Sequence, residues 1–326
     1  MMAVGIQAFF KLVEIQTKVA SMIPFLFGTV YAMFRFDSFD GVHFALMLAS
    51  LLSFDMATTA INNYYDYKKA IKKNGFGYEQ HNAIVRYGLK ESAVVSVIVI
   101  LLLTAAGCGI ALFLSTGWLI LLLGGLSFAV GILYSFGPIP ISRMPLGELF
   151  SGLFMGFVII FISAWIHLDN PIRLAVLDID LWSGMAAIHV NFFEVILLLV
   201  VSLPAILGIA NIMLANNICD MDEDVENKRY TLPVYIGTKH SLKLFRLLYC
   251  FAYLDLVALL MIKVHPVLVA LVLITAVPIY KKSVIFTADP SKQKTFVIAV
   301  QNFVFMNLAR IAALTIAVIF TSQSLF

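Results

Sequence analysis

Apolar runs of membrane length recur along the whole chain, and they leave few options for its fold. Of 326 residues, 61% are hydrophobic and 13% charged, with a mean hydropathy of +0.96. A soluble domain carries about a quarter charged residues, and one soluble core has no use for so many long apolar runs. The runs predict nine helices, near residues 17–36, 43–63, 93–114, 118–136, 147–168, 194–215, 244–262, 266–280 and 298–320. The expected fold is all-α: a polytopic membrane protein with nine transmembrane helices in a bundle around a central cavity. No Gly/Ser linker interrupts residues 1–326, so a single domain is expected. Lys11, Glu14, Gln16 and Lys18 precede the first run, which reads as a retained span rather than a cleaved leader.

Charge sorts the connections. The N-terminus and loops 2–3, 4–5, 6–7 and 8–9 contain or border 18 of the 22 Lys and Arg residues. The opposite loops hold only Arg35, Arg173 and Lys263, and Arg310 lies inside the ninth run. The positive-inside rule puts the N-terminus in the cytoplasm and the C-terminus outside. A net charge of +3 reflects this asymmetry and is no nucleic-acid footprint. Loop 5–6, near residues 169–193, is long; its Leu181-Trp182 and Phe192-Phe193 suggest a segment at the membrane interface. Cys108, Cys219 and Cys250 show no pairing pattern, and the six histidines show no metal-ligand spacing.

An internal echo marks the chemistry. The second run ends in Asn62-Asn63-Tyr64-Tyr65-Asp66 and the sixth in Asn216-Asn217-Ile218-Cys219-Asp220. Both read Asn-Asn-x-x-Asp, four spans apart and so on the same, cytoplasmic, side. Two parallel four-helix halves plus one further helix would give this pattern. Two polar helix ends reaching for the interface would give either motif alone.

Residues i and i+4 share a helix face, which groups Asn62 with Asp66, and Asn216 with Asp220 and Asp224. Oxygen donors on two facing helices suit Mg²⁺, which takes one or two carboxylates and fills its shell with water and phosphate. Val225 and Thr231 stand where a calcium loop needs Gly and Glu, so Asp220-x-Asp222-x-Asp224 is no EF-hand. Lys68, Lys69, Lys72, Lys73, Lys228 and Arg229 lie just beyond the carboxylates, as a metal-bridged diphosphate requires; anchoring to anionic lipid is the alternative for the lysines. A diphosphate held at the ends of apolar helices, with its tail among them, describes a polyprenyl diphosphate.

These motifs resemble the UbiA-type intramembrane prenyltransferases, and among them the branch that prenylates 1,4-dihydroxy-2-naphthoate in menaquinone synthesis. The likeness is carried by residues 62–67, by residues 216–224 continuing through Lys228-Arg229-Tyr230-Thr231-Leu232-Pro233 to Gly237, and by Tyr134-Ser135-Phe136-Gly137-Pro138-Ile139-Pro140 with Gly147-Glu148 and Gly152. Lys18 and Pro24 resemble that branch's entry into the first span. The resemblance implies a Mg²⁺-dependent aromatic polyprenyltransferase that yields demethylmenaquinone, CO₂ and diphosphate. It implies metal ligands at Asn62, Asp66, Asn216, Asp220 and Asp224, and catalytic roles for Asp66, Asp220, Asp224 and Tyr134. It implies diphosphate contacts from Lys18, Lys68, Lys228, Arg229, Asn63 and Asn217. The acceptor or prenyl cation would meet Tyr65 and Glu148, although Tyr65 and Tyr134 also suit an interfacial aromatic belt and Glu148 a helix N-terminus. The family branch implies a bacterial plasma membrane. The first motif departs from the pattern at Ala70, where a further Asp is usual; Glu79 or Asn82 are the substitutes. Another acceptor, 4-hydroxybenzoate or haem, and a membrane transporter remain open alternatives. Arg310, within a span, is expected to pair with a polar neighbour such as Asn307.

Overall fold

A computed structural model describes residues 5–69, 82–135 and 140–323. Ala70, Lys72, Lys73, Glu79 and residues 136–139 lie outside that set. Seven helices are long and apolar enough to cross a membrane: Ile15–Phe36, Gly41–Lys68, Glu91–Thr116, Gly147–Trp165, Leu232–Met261, Pro266–Ala288 and Val297–Phe320. The bent pair Phe192–Val201 and Leu203–Cys219 makes an eighth if taken as one span, and Trp118–Tyr134 is a shorter apolar helix. Every predicted run thus meets a helix, while length and composition admit seven or eight spans among the described residues where nine were expected. Ile100, Leu103 and Leu114 are among the most exposed apolar side chains; on a membrane helix they meet lipid rather than water.

Several ends moved. The second helix runs on to Lys69, so the first motif lies within it and not at its end. The seventh begins at Leu232, twelve residues earlier than predicted, with a kink at Gly237 (φ 76°) that only glycine adopts easily. The sixth breaks by 49° at Ser202. Pro204 causes it: it lacks the N–H that would continue the ladder, and its ring crowds the carbonyl four residues back. The Ser202 hydroxyl donates to the Leu198 carbonyl at 2.7 Å beside the break.

Contacts divide the chain into two compact units, Met1–Met22 with Ala45–Thr116, and Ile23–Phe44 with Gly117–Phe326. In the first, Leu12, Ala60, Ile84 and Val94 are buried together. In the second, Leu214, Ile218, Phe245, Tyr249, Phe286 and Met306 form the core, with the Phe245 and Phe286 rings 4.5 Å apart.

Two glycines set a close crossing in the second unit. A Cβ on Gly156 would fall 2.5 Å from Ile206 Cα, and one on Gly152 2.7 Å from the Ile206 carbonyl oxygen. This Gly-x-x-x-Gly step lets two helix backbones touch, as small residues do in membranes. The stretch Gly152–Val158 is wound as a π-helix between Gly147–Ser151 and Ile159–Trp165.

Loop 5–6 holds the departure from an all-α fold. Strands β1 (Ala175–Asp180) and β2 (Met185–Val190) pair antiparallel, Ala175 opposite Val190 and Asp180 opposite Met185. Asp180 closes the turn, accepting from the Trp182 amide at 2.9 Å and the Ser183 hydroxyl at 2.6 Å. These bonds hold its carboxyl below the usual carboxylate range, the Ser183 hydroxyl contributing most. Register puts Ala175, Leu177, Ile179, Ala186, Ile188 and Val190 on one wholly apolar face.

Candidate active site

The Gly-x-x-x-Gly crossing brings Glu148, one turn before Gly152, against the Leu203–Cys219 helix. Asn217 Nδ2 donates to Glu148 Oε1 at 2.9 Å. Both side chains are buried, and two oxygens, Glu148 Oε2 and Asn217 Oδ1, have no hydrogen-bond partner. Buried polar atoms without partners are costly and rare outside functional places. Tyr134 joins them: its hydroxyl donates to Met213 Sδ at 3.3 Å and lies 3.6 Å from where a Cβ of Gly147 would sit. Three residues expected from separate stretches of sequence, Tyr134, Glu148 and Asn217, therefore share one region of the second unit.

The second motif is the other half of that region. The helix ends at Cys219, Asp220 leaves helical geometry (φ −102°, ψ 8°), and Met221–Glu226 restarts it. The continuous two-turn row expected for Asn216, Asp220 and Asp224 is therefore broken at its middle member, although the Asp224 amide still donates to the Asp220 carbonyl at 2.8 Å. Asp220 Oδ2 accepts from Asn216 Nδ2 at 3.2 Å and from Lys292 Nζ at 2.5 Å. Lys292 Nζ also donates to Asn216 Oδ1. Asp224 is buried; its Oδ2 accepts from the Thr231 hydroxyl at 3.2 Å, and its Oδ1 lies 3.3 Å from Arg229 Nε as an ion pair without hydrogen-bond geometry. Arg229 also reaches the Ser142 carbonyl at 3.4 Å. Lys228 is exposed, with φ 54°.

The first unit carries the first motif. Asn62 and Asp66 are both exposed on one face of Gly41–Lys69, as i, i+4 spacing requires. Asn63 faces the other way, buried, and donates to the Leu12 carbonyl at 3.0 Å, while Asn82 donates to the Asn63 carbonyl at 2.8 Å. Asn63 thus ties down the N-terminal helix and is not presented with Asn62 and Asp66. Lys18 is buried, and its ammonium has three acceptors: Asp55 Oδ1 at 2.6 Å, the Asp55 carbonyl at 3.0 Å and Thr59 Oγ1 at 2.7 Å. An ammonium has three N–H groups, so Lys18 is placed as the counter-charge of Asp55 and has no donor left for a diphosphate. Lys68 pairs with Glu91 at 2.6 Å and lies 5.8 Å from the Tyr64 ring centroid. Tyr65 is exposed and meets Tyr64 edge-on.

Arg310 corrects another expectation. Its partner is Asp255, in a fork of 2.6 and 2.8 Å, and not Asn307, which donates to the Phe303 carbonyl at 2.8 Å. Lys292, Asp55 and Asp255 had no motif to announce them. Their partners stand 72, 37 and 55 residues away, and only the intramembrane position of Asp55 and Asp255 hinted at a need for one.

No three His, Cys, Asp or Glu side chains converge among the described residues. Mg²⁺ does not need three: one or two carboxylates with amide oxygens, water and phosphate complete its shell. Asn216 Oδ1, Asp220 and Asp224 are hard oxygen donors of that kind, and the chemistry of the set fits such an ion.

Residues 21–309 match the model of the UbiA prenyltransferase family. The chain is 34% identical to a 1,4-dihydroxy-2-naphthoate octaprenyltransferase of Bacillus subtilis (strain 168), over 264 residues that cover 78% of this chain and 74% of that one. It is 26% identical to UbiA prenyltransferase domain-containing protein 1 of Dictyostelium discoideum, over 73% of this chain and 67% of that one. Among solved structures, a UbiA homologue from Aeropyrum pernix K1 aligns with TM-score 0.61 at 17% identity, covering 94% of this chain and 98% of that one. A homologue from Archaeoglobus fulgidus bound to GPP and Mg²⁺ aligns with TM-score 0.60 at 14% identity, covering 95% and 99%. Its apolar helices, its paired Asn-Asn-x-x-Asp motifs and the match across residues 21–309 make this chain a member of the UbiA prenyltransferase family.

Proposed function

We propose that this prenyltransferase moves a polyprenyl group from its diphosphate to 1,4-dihydroxy-2-naphthoate, giving demethylmenaquinol (the reduced form of demethylmenaquinone), CO₂ and diphosphate. The observation that carries the reading is the donor cluster at the end of Leu203–Cys219, where Asn216, Asp220 and Asp224 adjoin the cations Arg229 and Lys292. The Bacillus relative supports the choice of acceptor. Asn216, Asp220 and Asp224 would hold Mg²⁺, with Arg229 and Lys228 neutralising the remaining phosphate charge; the family resemblance gives the first motif, Asn62 and Asp66 with Lys68, the same kind of role. The bound ion supplies Lewis-acid withdrawal of charge from the leaving group. The allylic C–O bond breaks with its electron pair leaving on the diphosphate, a C–C bond forms to the electron-rich ring, and CO₂ and a proton depart. Tyr134, and Tyr65 on its own helix, present ring faces suited to a developing allylic cation. Glu148 Oε2, buried and unpartnered, is suited to accept a hydrogen bond from an acceptor hydroxyl. Charge asymmetry supports a cytoplasmic face for the motifs.

Offering 1,4-dihydroxy-2-naphthoate and 4-hydroxybenzoate in parallel, and weighing the products by mass spectrometry, tests the acceptor. The naphthoate product is expected. Prenylation of the benzoate alone would refute the assignment.

A further inference from the structure

Lys292 stands apart from the other cations of the site. It lies between Ala276–Ala288 and Val297–Gln323, far along the chain from either motif, yet its Nζ meets two members of the second motif at once. Its backbone is fixed by a small turn: the Ser291 amide donates to Thr295 Oγ1 at 2.8 Å, and that hydroxyl donates to the Asp289 carbonyl at 2.8 Å. The Phe296 ring lies 5.5 Å from Nζ. Its side chain is 44% exposed, unlike that of Lys18, which is 4% exposed and saturated. A fixed backbone with a half-exposed ammonium is a tether with a free end. Two acceptors also leave Nζ one N–H unspent.

Asp220 Oδ2 and Asn216 Oδ1 are the acceptors a hard divalent ion would choose, and Lys292 holds both. An ammonium and a metal cannot share those lone pairs fully. The same ammonium, displaced by a few ångströms, would meet phosphate oxygens carried by that metal. We infer that Lys292 is a diphosphate-positioning residue that shares Asp220 with the metal, pairing with the carboxylate until a metal-bound diphosphate draws the ammonium onto its own oxygens. This rests on the metal reading proposed above. A purely structural bridge between loop and helix would have no such exchange.

The two roles differ in the sign of one measurement. The full chain in detergent micelles is titrated with Mn²⁺, read by the spin resonance of the free ion, alone and with inorganic diphosphate. Lys292→Met frees Asp220, so Mn²⁺ alone should bind about two- to fivefold more tightly, the range of a half-exposed ion pair. Diphosphate in the presence of Mn²⁺ should bind on the order of tenfold more weakly, the loss of one hydrogen bond between charged groups. Lys292→Arg should restore most of the diphosphate affinity. Asp220→Asn is the control for the metal reading. If it removes Mn²⁺ binding while Lys292→Met leaves both affinities unchanged, or weakens both, the role given to Lys292 is wrong. If Asp220→Asn binds Mn²⁺ like the wild type, the metal reading falls and the role of Lys292 falls with it.

Discussion

Among the described residues, six acidic side chains in or beside the apolar helices each carry a Lys or Arg partner: Asp55 with Lys18, Glu91 with Lys68, Glu194 with Arg35, Asp220 with Lys292, Asp224 with Arg229 and Asp255 with Arg310. Glu148 does not; it has only the Asn217 amide, and its second oxygen has no partner. Under the proposed function that free oxygen is kept for the acceptor, since an unpaired buried carboxyl oxygen costs stability until a ligand satisfies it. Glu148→Ala should raise the KM for the aromatic acceptor by about ten- to a hundredfold, the value of one hydrogen bond to a charged group. The KM for the prenyl diphosphate should barely move, and steady-state kinetics with each substrate varied in turn separates the two. His167 is another buried group with a defined consequence. Its Nδ1 accepts from the Asp40 amide at 3.1 Å and its Nε2 meets the Thr29 hydroxyl at 3.3 Å. Burial pushes the imidazole from its ordinary 6.5 down to about 4. The unfolded chain then takes up a proton between those values while the folded protein does not, so stability is full above pH 6.5 and is lost as pH falls toward 4. Thermal unfolding in detergent at pH 7 and pH 5 should show this loss in the wild type and a smaller one in His167→Gln.

Helices were legible from apolar runs, and their interruptions were legible only where a residue type forces them. Gly152 and Gly156 set the crossing that presents Glu148 to Asn217, and neither tolerates a side chain. Gly156→Leu should lower the thermal midpoint by several degrees, as overpacking by about 1–3 kcal/mol does, and should cut activity in the protein that remains folded. Pro204 could have announced the break at Ser202 in advance, since proline in a helix interior removes a hydrogen bond. The hairpin was hidden for a different reason. Ala175-Val176-Leu177-Asp178-Ile179-Asp180 alternates only weakly, and β2 (Met185-Ala186-Ala187-Ile188-His189-Val190) offers no polar face, so the pairing depends on Asp180 and Gly184 closing the turn. Trp182 at its tip is fully exposed. The first motif misled in one respect: Asn62 and Asn63 look alike in sequence, but a helix turns successive residues by 100°, which sends Asn62 outward and Asn63 inward.

Across the whole chain, the residues that make the chemistry and the residues that hold the fold draw on the same currency of buried charge. Arg310 and Asp255 are both fully buried, in a fork completed by the Met306 carbonyl at 2.9 Å and the Tyr253 ring at 4.7 Å. Arg310 meets both carboxylate oxygens of Asp255, so the pair is satisfied within the fold. Asp255→Ala leaves the guanidinium buried alone and should cost about 3–5 kcal/mol; removing both charges together, with Arg310→Met, should recover much of the loss, read from denaturation in detergent. The second motif is the contrasting case: under the proposed function a metal ion would take Asp220 and Asp224 from their cations. Their family resemblance was readable from sequence, but Lys292 was not, because nothing in Pro290-Ser291-Lys292-Gln293 signals a partner 72 residues upstream. The most direct test of the account measures diphosphate release by the purified chain, with a polyprenyl diphosphate and 1,4-dihydroxy-2-naphthoate, as Mg²⁺ is titrated. The wild type should release diphosphate only with Mg²⁺, and Asp220→Ala and Asp224→Ala, each shown to be folded by a cooperative thermal transition, should lose at least a hundredfold in rate, about 2.7 kcal/mol or more of barrier. Release without Mg²⁺, or near-normal turnover in either variant, would contradict it.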